Sequence, residues 1–292
     1  MQGKIIKGIA GFYYVHDGIG KVYECHARGV FRNRNIKPLV GDDVEFSILD
    51  EAEGTGNIDV LLPSRSRLIR PAVANVDQAL VVFSVTDPEP NLNLLDRFLI
   101  VMEKQHVPVI VCFSKSDLGS EKEEEILRRT YEPTGCRVCF ISTSTDKGMD
   151  ELMKLLESKT TVLAGPSGVG KSTLTNYLQP LAGMEVGELS RKIARGKNTT
   201  RHSELFFVKK DTFVCDTPGF SSIYVDGIDE KELKDYFPEF AAWEDECRFL
   251  GCIHIGEKDC GVKRALTRGE LAESRYDNYR LIYDELKNRR KY

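Results

Sequence analysis

Apolar and polar positions change rhythm twice along this chain. Through the first sixty-odd residues, short apolar segments alternate with Gly and Asp-Gly punctuation: GKIIKGIAGFYYV, GKVYECHARGVF, VGDDVEFSIL and GNIDVLL. Strands repeating every roughly 8–16 residues predict a small β-barrel of OB type. From about Pro71 the texture becomes strand–helix alternation. ANVDQALVVFSV, VPVIVCFSKSDL, CRVCFIST and TTVLA read as buried strands, and LNLLDRFLIVMEKQ, EKEEEILRRTYEPTG and MDELMKLLES as helices. Such alternation predicts an α/β domain with a parallel sheet. After Asp229 the pattern turns helical and cysteine-containing. The expected organisation is therefore a barrel over 1–68, an α/β domain over 69–228 and a small helical unit over 229–292.

The chain's 292 residues are 41% hydrophobic and 29% charged, which excludes collagen-like, mucin-like and wholly disordered classes. No stretch reaches the roughly 18 apolar residues of a membrane span, and MQGKIIKGIAGFYY lacks the zones of a signal peptide. A cytoplasmic chain without a membrane partner is expected. In a reducing compartment its 8 cysteines should be buried, catalytic or metal-bound rather than paired. The formal charge of −4 hides local structure: residues 1–70 carry a net +1, residues 71–230 a net −5 and residues 231–292 none. Arg191, Lys192, Arg195, Lys197 and Arg201 form one acid-free run, and Arg65, Arg67 and Arg70 another. Lys21, Arg28, Arg32, Arg34 and Lys37 are interrupted only by Glu24. Any one run is commonly a solvated face; several together favour a polyanion partner. Tyr13, Tyr14 and Phe31 are available to stack on bases or to pack the barrel.

The sharpest chemical signal is Gly165-Pro166-Ser167-Gly168-Val169-Gly170-Lys171-Ser172, which fits GxxxxGK[ST] between a strand and a helix opening with Ser172 and Thr173. Glycines let backbone N–H groups curl around a phosphate, and a helix N-terminus adds its dipole. Lys171 would stabilise charge on the β/γ oxygens and Ser172 would hold Mg²⁺. Ser114-Lys115-Ser116-Asp117 follows an apolar strand. Asp117 can accept hydrogen bonds from N1–H and the 2-amino group of guanine, which adenine does not supply. Ser142, Thr143 and Ser144 would form the matching base-edge loop. Asp216-Thr217-Pro218-Gly219 is a DxxG sequence, in which Asp216 would reach Mg²⁺ through water and Gly219 would sense the γ-phosphate. Thr199 and Thr200 are the only adjacent threonines in the basic run, and Thr200 is taken as the ligand that completes the Mg²⁺ site. SELFFVKKDTFVCD reads as the hairpin leading into DxxG. Phe220 stands where a water-orienting glutamine is common, so unaided hydrolysis should be slow; His202 is a candidate substitute.

These signals come in an unusual order. SKSD and STS precede the phosphate loop, and DTPG comes last, which is a circular permutation of the usual GTPase order. It places the DxxG loop next to the C-terminal unit. There Cys247, Cys252, His254 and Cys260 fall within fourteen residues, a donor set suited to one structural Zn²⁺. The last helix, with Leu271, Tyr279, Ile282, Tyr283 and Leu286 on its apolar face, ends in Lys287, Arg289, Arg290 and Lys291.

The permuted SKSD…GPSGVGKST…GKNTT…DTPGF series, the Cys-x4-Cys-x-His-x5-Cys cluster, RPAVANVDQALVVFS and NLLDRFL closely resemble the RsgA/YjeQ/YloQ family of small-ribosomal-subunit-dependent GTPases, over essentially the full length. The resemblance implies an OB-fold, a permuted GTPase domain and a zinc-binding C-terminal domain. It also implies a GTP/GDP cycle, contact with the 30S subunit and its 16S rRNA, and a role in late subunit maturation. Hydrolysis would be stimulated by the subunit and would promote release. A monomer that does not bind DNA is expected. Ser114 and Asn198 depart from the family's common Asn and His. Two other readings compete: an RNA-binding placeholder with incidental turnover, and a phosphate-loop kinase acting on a small molecule. The kinase reading leaves SKSD, DTPGF and the permutation unexplained.

Overall fold

The computed structural model describes residues 1–29, 31, 36–69, 71–183, 203–216 and 223–289. Contacts divide the chain into two compact units, Met1–Leu80 with Met149–Phe220, and Val81–Gly148 with Ser221–Tyr292.

The first unit opens with a closed five-stranded barrel. Its strands are β1 (Gln2–Ile9), β2 (Phe12–His16), β3 (Val22–Ala27), β4 (Asp43–Asp50) and β5 (Thr55–Leu61), in spatial order β1-β2-β3-β5-β4. All neighbours are antiparallel except β3 and β5, which run parallel. The first apolar segment of the sequence is two strands rather than one. Ala10 and Gly11, with φ of 50° and 91°, turn the chain in two residues, and φ > 0 at both positions suits the twist of a tight hairpin. Ile5, Val15, Tyr23, Cys25, Val44, Phe46 and Ile58 fill the barrel, and Phe31 joins them, buried. Phe31 is thus packing rather than a stacking surface, and the Tyr14 hydroxyl donates to Glu24 at 3.0 Å.

Four described cations of the two N-terminal basic runs are paired with acids in space. Arg65 pairs with Asp77 at 3.0 Å and Arg67 with the fully buried Asp42 at 3.3 Å. Arg28 pairs with Asp59 at 2.7 Å and Lys21 with Glu51 at 2.5 Å. Arg32, Arg34, Arg70 and the run from Arg191 to Arg201 lie outside the described residues.

Later in the same unit come α3 (Met149–Leu156), β9 (Thr160–Ala164), α4 (Lys171–Gly183) and the hairpin β10 (Glu204–Lys209) with β11 (Thr212–Asp216). β11 is antiparallel to β10 and parallel to β9. The barrel is fastened to this hairpin. The His16 ring stacks on Phe207 at 4.3 Å and meets Phe213 edge-on at 5.5 Å, Lys4 lies over Phe213, and Lys7 pairs with Glu204 at 3.0 Å.

β6 (Gln78–Ser84) belongs to both units. Its first residues, with β9, extend the order β10-β11-β9-β6; its last residues begin the order β6-β7-β8 in the second unit, with β7 (Val109–Ser114) parallel to β8 (Arg137–Phe140). Every residue of β6 and of β9 is buried, as their unbroken apolar runs require. The second unit adds α1 (Leu92–Lys104) and α2 (Glu121–Tyr131), the latter started by a reciprocal capping box between Ser120 and Glu123. After 3-10 turns at Leu233–Tyr236 and Pro238–Phe240 follow α5 (Ala241–Glu244), α6 (Gly261–Arg268) and α7 (Glu273–Arg289). Their core is Leu233, Phe237, Phe240, Val262, Tyr279 and Ile282. Inside it Arg275 donates to Asp96 at 2.5 Å and to Glu239 at 2.7 and 3.1 Å. Asn278 donates to the other oxygen of Asp96 at 2.7 Å. The cations closing the last helix are also engaged, for Arg289 pairs with Asp226 at 2.6 Å. Arg290 and Lys291 lie outside the described residues. Among the described residues, no helix is long and apolar enough to cross a membrane.

His16 gives the first unit a pH dependence of known sign. Gly18 N–H donates to its Nδ1 at 3.0 Å, and Nε2 is buried without a partner. Burial lowers the pKa, against the opposing pull of Asp17 and Asp211. Protons therefore bind the unfolded chain first, and stability falls as pH drops below the ordinary histidine value of about 6.5. Between about pH 7.5 and pH 5.5, wild type should lose more Tm than His16→Phe, which keeps the ring stack without the titration. Equal losses would remove His16 as the cause.

Candidate nucleotide-binding loops and metal centre

β9 delivers the chain to the glycine loop, and α4 carries it away. Gly165, Gly168 and Gly170 have φ of 134°, 84° and 90°, values that a side chain resists, so GxxGxG is demanded by the path of the backbone. Val169 is buried and pins the loop from below, while Leu174 and Leu178 anchor the first turns of the helix. Pro166 is half-buried, and Ser167, Ser172 and Thr173 are exposed. The Lys171 ammonium bends over the loop, donating to the carbonyls of Gly165 at 2.7 Å and Pro166 at 2.5 Å. β11 runs beside β9 with Asp216 in register with Leu163. The DxxG strand thus ends next to the strand that feeds the glycine loop. Thr199, Thr200, His202, Gly219 and Phe220 lie outside the described residues, as does the side chain of Asp216.

In the second unit, SKSD follows β7. The Ser114 hydroxyl donates to Phe83 O at 3.1 Å, Lys115 has a φ of 54°, and the buried Ser116 donates its N–H to Ile141 O at 3.0 Å. The Lys115 ammonium donates to Asp87 O at 2.6 Å. These bonds aim Asp117 outward. Ser144 donates to its carboxylate at 3.0 Å, and the Ser142 and Ser144 hydroxyls lie 2.9 Å apart, with Thr143 half-buried between them. Hydrogen bonds from Ser142, from its own backbone and from Ser144, with Lys147 nearby, hold the Asp117 carboxyl below the usual carboxylate range. It is ionised at neutral pH and offers only acceptors, which is what a guanine edge with two adjacent N–H groups requires. The two serine-containing loops that the sequence suggested as partners are brought together here. Ser142 and Ser144 both hydrogen-bond to Asp117.

The third site is a knot of thiols and imidazole. The ligand atoms of Cys247, Cys252, His254 and Cys260 all lie within 4.8 Å of one another. Cys247 Sγ is 3.7 Å from His254 Nδ1 and 3.9 Å from Cys260 Sγ. A tetrahedral ion with bonds of about 2.3 Å to sulfur and about 2.0–2.1 Å to nitrogen needs donors roughly 3.6–3.8 Å apart. The donor set fits a divalent ion of that kind. Burial pushes the Cys252 thiol up to about 12 and raises Cys260 as well, and a cation held among them would favour their thiolate forms.

The four donors are legible in the sequence; the groups that orient them are not. His254 Nε2 lies 3.3 Å from Glu244 Oε1, and Glu244 also pairs with Lys234 at 2.8 Å. A carboxylate behind the imidazole leaves Nδ1 to face the thiols. Tyr276 donates to His254 O at 2.7 Å and Tyr279 to Ile253 O at 2.5 Å, holding a loop in which His254 has a φ of 60°. The tyrosine pair was visible in the sequence only as apolar periodicity. The five other cysteines are free thiols, four of them buried.

Comparison with known proteins now decides the family. The model described as RsgA GTPase matches residues 61–226, and that of the RsgA N-terminal domain matches residues 2–55. The chain belongs to the RsgA GTPase family. It is 54% identical over 303 residues, and full length on both sides, to the small ribosomal subunit biogenesis GTPase RsgA of Agathobacter rectalis. Its identity to the protein of the same name from Alkaliphilus metalliredigens is 50% over 291 residues, covering 100% of this chain and 99% of the other. Among solved structures it is similar to YloQ, a circularly permuted GTPase, with a TM-score of 0.76, 37% identity and coverage of 99% and 95%. YjeQ from Thermotoga maritima gives a TM-score of 0.77 at 34% identity, covering 98% of each chain. The chain is thus a GTP hydrolase of the permuted RsgA type, with a five-stranded N-terminal barrel and a helical C-terminal region carrying the Cys3His cluster.

Asp117→Asn turns one acceptor of this loop into a donor. It should raise the KM for GTP about 10- to 100-fold, the loss of a charge-assisted hydrogen bond. It should also improve use of xanthosine triphosphate, whose base carries a carbonyl at position 2. Steady-state turnover with both nucleotides reads this out, and an unchanged preference for GTP would exclude Asp117 as the base reader.

Proposed function

We propose that this chain acts in late maturation of the small ribosomal subunit. It works in the cytoplasm as a monomer that contacts 16S rRNA on the 30S particle and hydrolyses GTP to GDP and phosphate under stimulation by the subunit. The observation that carries the reading is full-length likeness to proteins named for small-subunit biogenesis, joined to a phosphate loop with the backbone its chemistry needs. The division of labour follows 1–68 for RNA contact, 69–228 for the nucleotide and 229–292 for the metal-stapled docking unit.

In the hydrolytic step the backbone N–H groups of Gly165–Ser172 and the dipole of α4 hold the β-phosphate, and Lys171 moves from its loop carbonyls to the β/γ oxygens. There it stabilises charge that develops as water attacks the γ-phosphorus. Asp117, with Ser114, Lys115, Ser116, Ser142 and Thr143, holds the guanine. Ser172 and Thr200 would hold Mg²⁺ directly and Asp216 through water, and the ion would supply positive charge against the phosphate oxygens. Of these, the Ser172 hydroxyl stands exposed at the start of α4, available to such an ion. Gly219 would sense the γ-phosphate. With Phe220 after DxxG, no glutamine follows it to orient water, which is why turnover should depend on the subunit. Cys247, Cys252, His254 and Cys260 would hold Zn²⁺ with four protein donors, the number a structural site uses.

Two measurements check this reading. GTP turnover with purified 30S subunits should exceed turnover without them many-fold, and Lys171→Ala should abolish it. Equal rates with and without subunits would sink the subunit-dependent part, and subunit assembly unaffected by Lys171→Ala would favour the placeholder. Purified chain should contain one zinc per molecule, and Glu244→Gln should weaken zinc retention against a chromogenic chelator about 10- to 100-fold. Retention equal to wild type would show that Glu244 does not support the site.

A further inference from the structure

A cavity of about 560 Å³ opens on the barrel where the β1–β2 turn, the start of β2, the end of β3 and the segment leading to Pro38 meet. Its volume lies within the range of about 300–1,000 Å³ usual for small-ligand sites. Among the described residues its wall is aromatic. Phe12 and His26 face each other with ring centroids 4.5 Å apart and planes at 50°, Tyr13 stands beside them, and the buried Phe31 closes the base. His26 is exposed, so its ring presents a face to solvent instead of to the core. The rim is cationic. Lys37 is exposed, and Arg28, 57% exposed at its side chain, reaches Asp59 at 2.7 Å while keeping open N–H groups of its five-donor fork. Among the described residues no carboxylate lines the cavity, and Asp59 reaches the rim only through its pair with Arg28.

Flat π-faces beside cations are the recognition chemistry of an unpaired nucleotide: the base stacks, and its phosphate lies against the cations. A duplex keeps its base faces stacked on one another and cannot fill such a slot. We propose that this cavity is a subsite for one unpaired nucleotide of an RNA strand, its base stacked on His26 and Phe12 and its phosphate held by Lys37 and Arg28. The inference rests on the reading above that the barrel meets rRNA, and adds which surface does so and what form of RNA it takes.

The test is fluorescence anisotropy of the full-length chain with a labelled single-stranded oligoribonucleotide about ten nucleotides long, and with the same sequence as a duplex. Wild type should prefer the single strand. His26→Ala should weaken that binding about 5- to 150-fold, the loss of one stacked base, and His26→Phe should restore it. Lys37→Ala should lower the slope of log affinity against log salt by about one phosphate contact. Single-strand binding unchanged in His26→Ala, or a preference for duplex, would overturn the proposal. So would His26→Ala weakening association with 30S subunits while leaving oligonucleotide binding intact, because the cavity would then serve a protein contact. An oligodeoxynucleotide of the same sequence should bind about as well, because stacking and phosphate contacts do not read the 2′-hydroxyl; a markedly weaker affinity for it would overturn stacking and phosphate contact as the recognition chemistry. Subunit-stimulated GTP turnover, measured in parallel on wild type, keeps this apart from the functional reading. If stimulation is present and the cavity variants bind RNA like wild type, only the subsite fails.

Discussion

A guanidinium with almost no access to water, that of Arg275, is the constraint on which the second unit depends. Burial by itself would depress its pKa, but Asp96 and Glu239 more than offset this and hold it firmly protonated. The arrangement still carries two carboxylates for one cation. Burial raises the Asp96 pKa, and Arg275 and Asn278 only partly counter it. Removing one partner from such a buried set typically costs about 3–5 kcal/mol, because it leaves the other charge desolvated. The geometry also selects a single packing. Asp96 is on α1, Glu239 on a 3-10 turn and Arg275 on α7, so α7 can dock in only one rotation and one register. Phe237 under the guanidinium, 4.4 Å from its carbon, closes the last direction.

The same helix then positions the metal loop. One residue after Arg275, Tyr276 reaches the His254 carbonyl, and one turn later Tyr279 reaches that of Ile253. Phenylalanine would pack as well at both places but would leave these two carbonyls without donors. The loop they hold is the one that puts His254 in a left-handed backbone conformation, with Glu244 behind its ring. Metal donors separated by up to thirteen residues in sequence meet because a helix locked by an ion triad presents two hydroxyls at the right height.

How much of this was legible follows from the kind of information each feature carries. The glycine loop, the DxxG strand, SKSD and the four metal donors depend on residue type at short spacing, which a sequence displays directly. The strands β6 and β9 were legible because burial on both faces leaves an unbroken apolar run. The Ala10–Gly11 turn was missed because Ala lacks the signature of a left-handed residue. Arg65 and Arg67 read as free cations because Asp77 and Asp42 lie ten or more residues away, and pairing at that distance is a property of the fold. Arg275 was invisible for the same reason: within ESRYDNYR it looks like one more solvated charge. Glu244 was not legible at all, since nothing in its spacing says that it stands behind an imidazole.

His16 shows why a residue that appears wrong for its surroundings is retained. Its ring does what phenylalanine would do, stacking on Phe207 and Phe213 and so fixing the barrel to the hairpin that ends at Asp216. Phenylalanine, however, could not accept the Gly18 N–H, and this bond shapes the β2–β3 turn. Asp17 completes that turn by accepting the N–H groups of Ile19, Gly20 and Lys21 at 2.9 Å each. One side chain therefore closes a turn and joins two substructures, at the cost of a buried nitrogen without a partner. An unmet polar atom of this kind typically costs about 1–3 kcal/mol, comparable to an aromatic stack and one backbone bond together. The exchange is close to neutral in stability. What it gains is position: strand β11 enters the DxxG sequence from a hairpin held against the barrel through His16, Lys4 and Lys7.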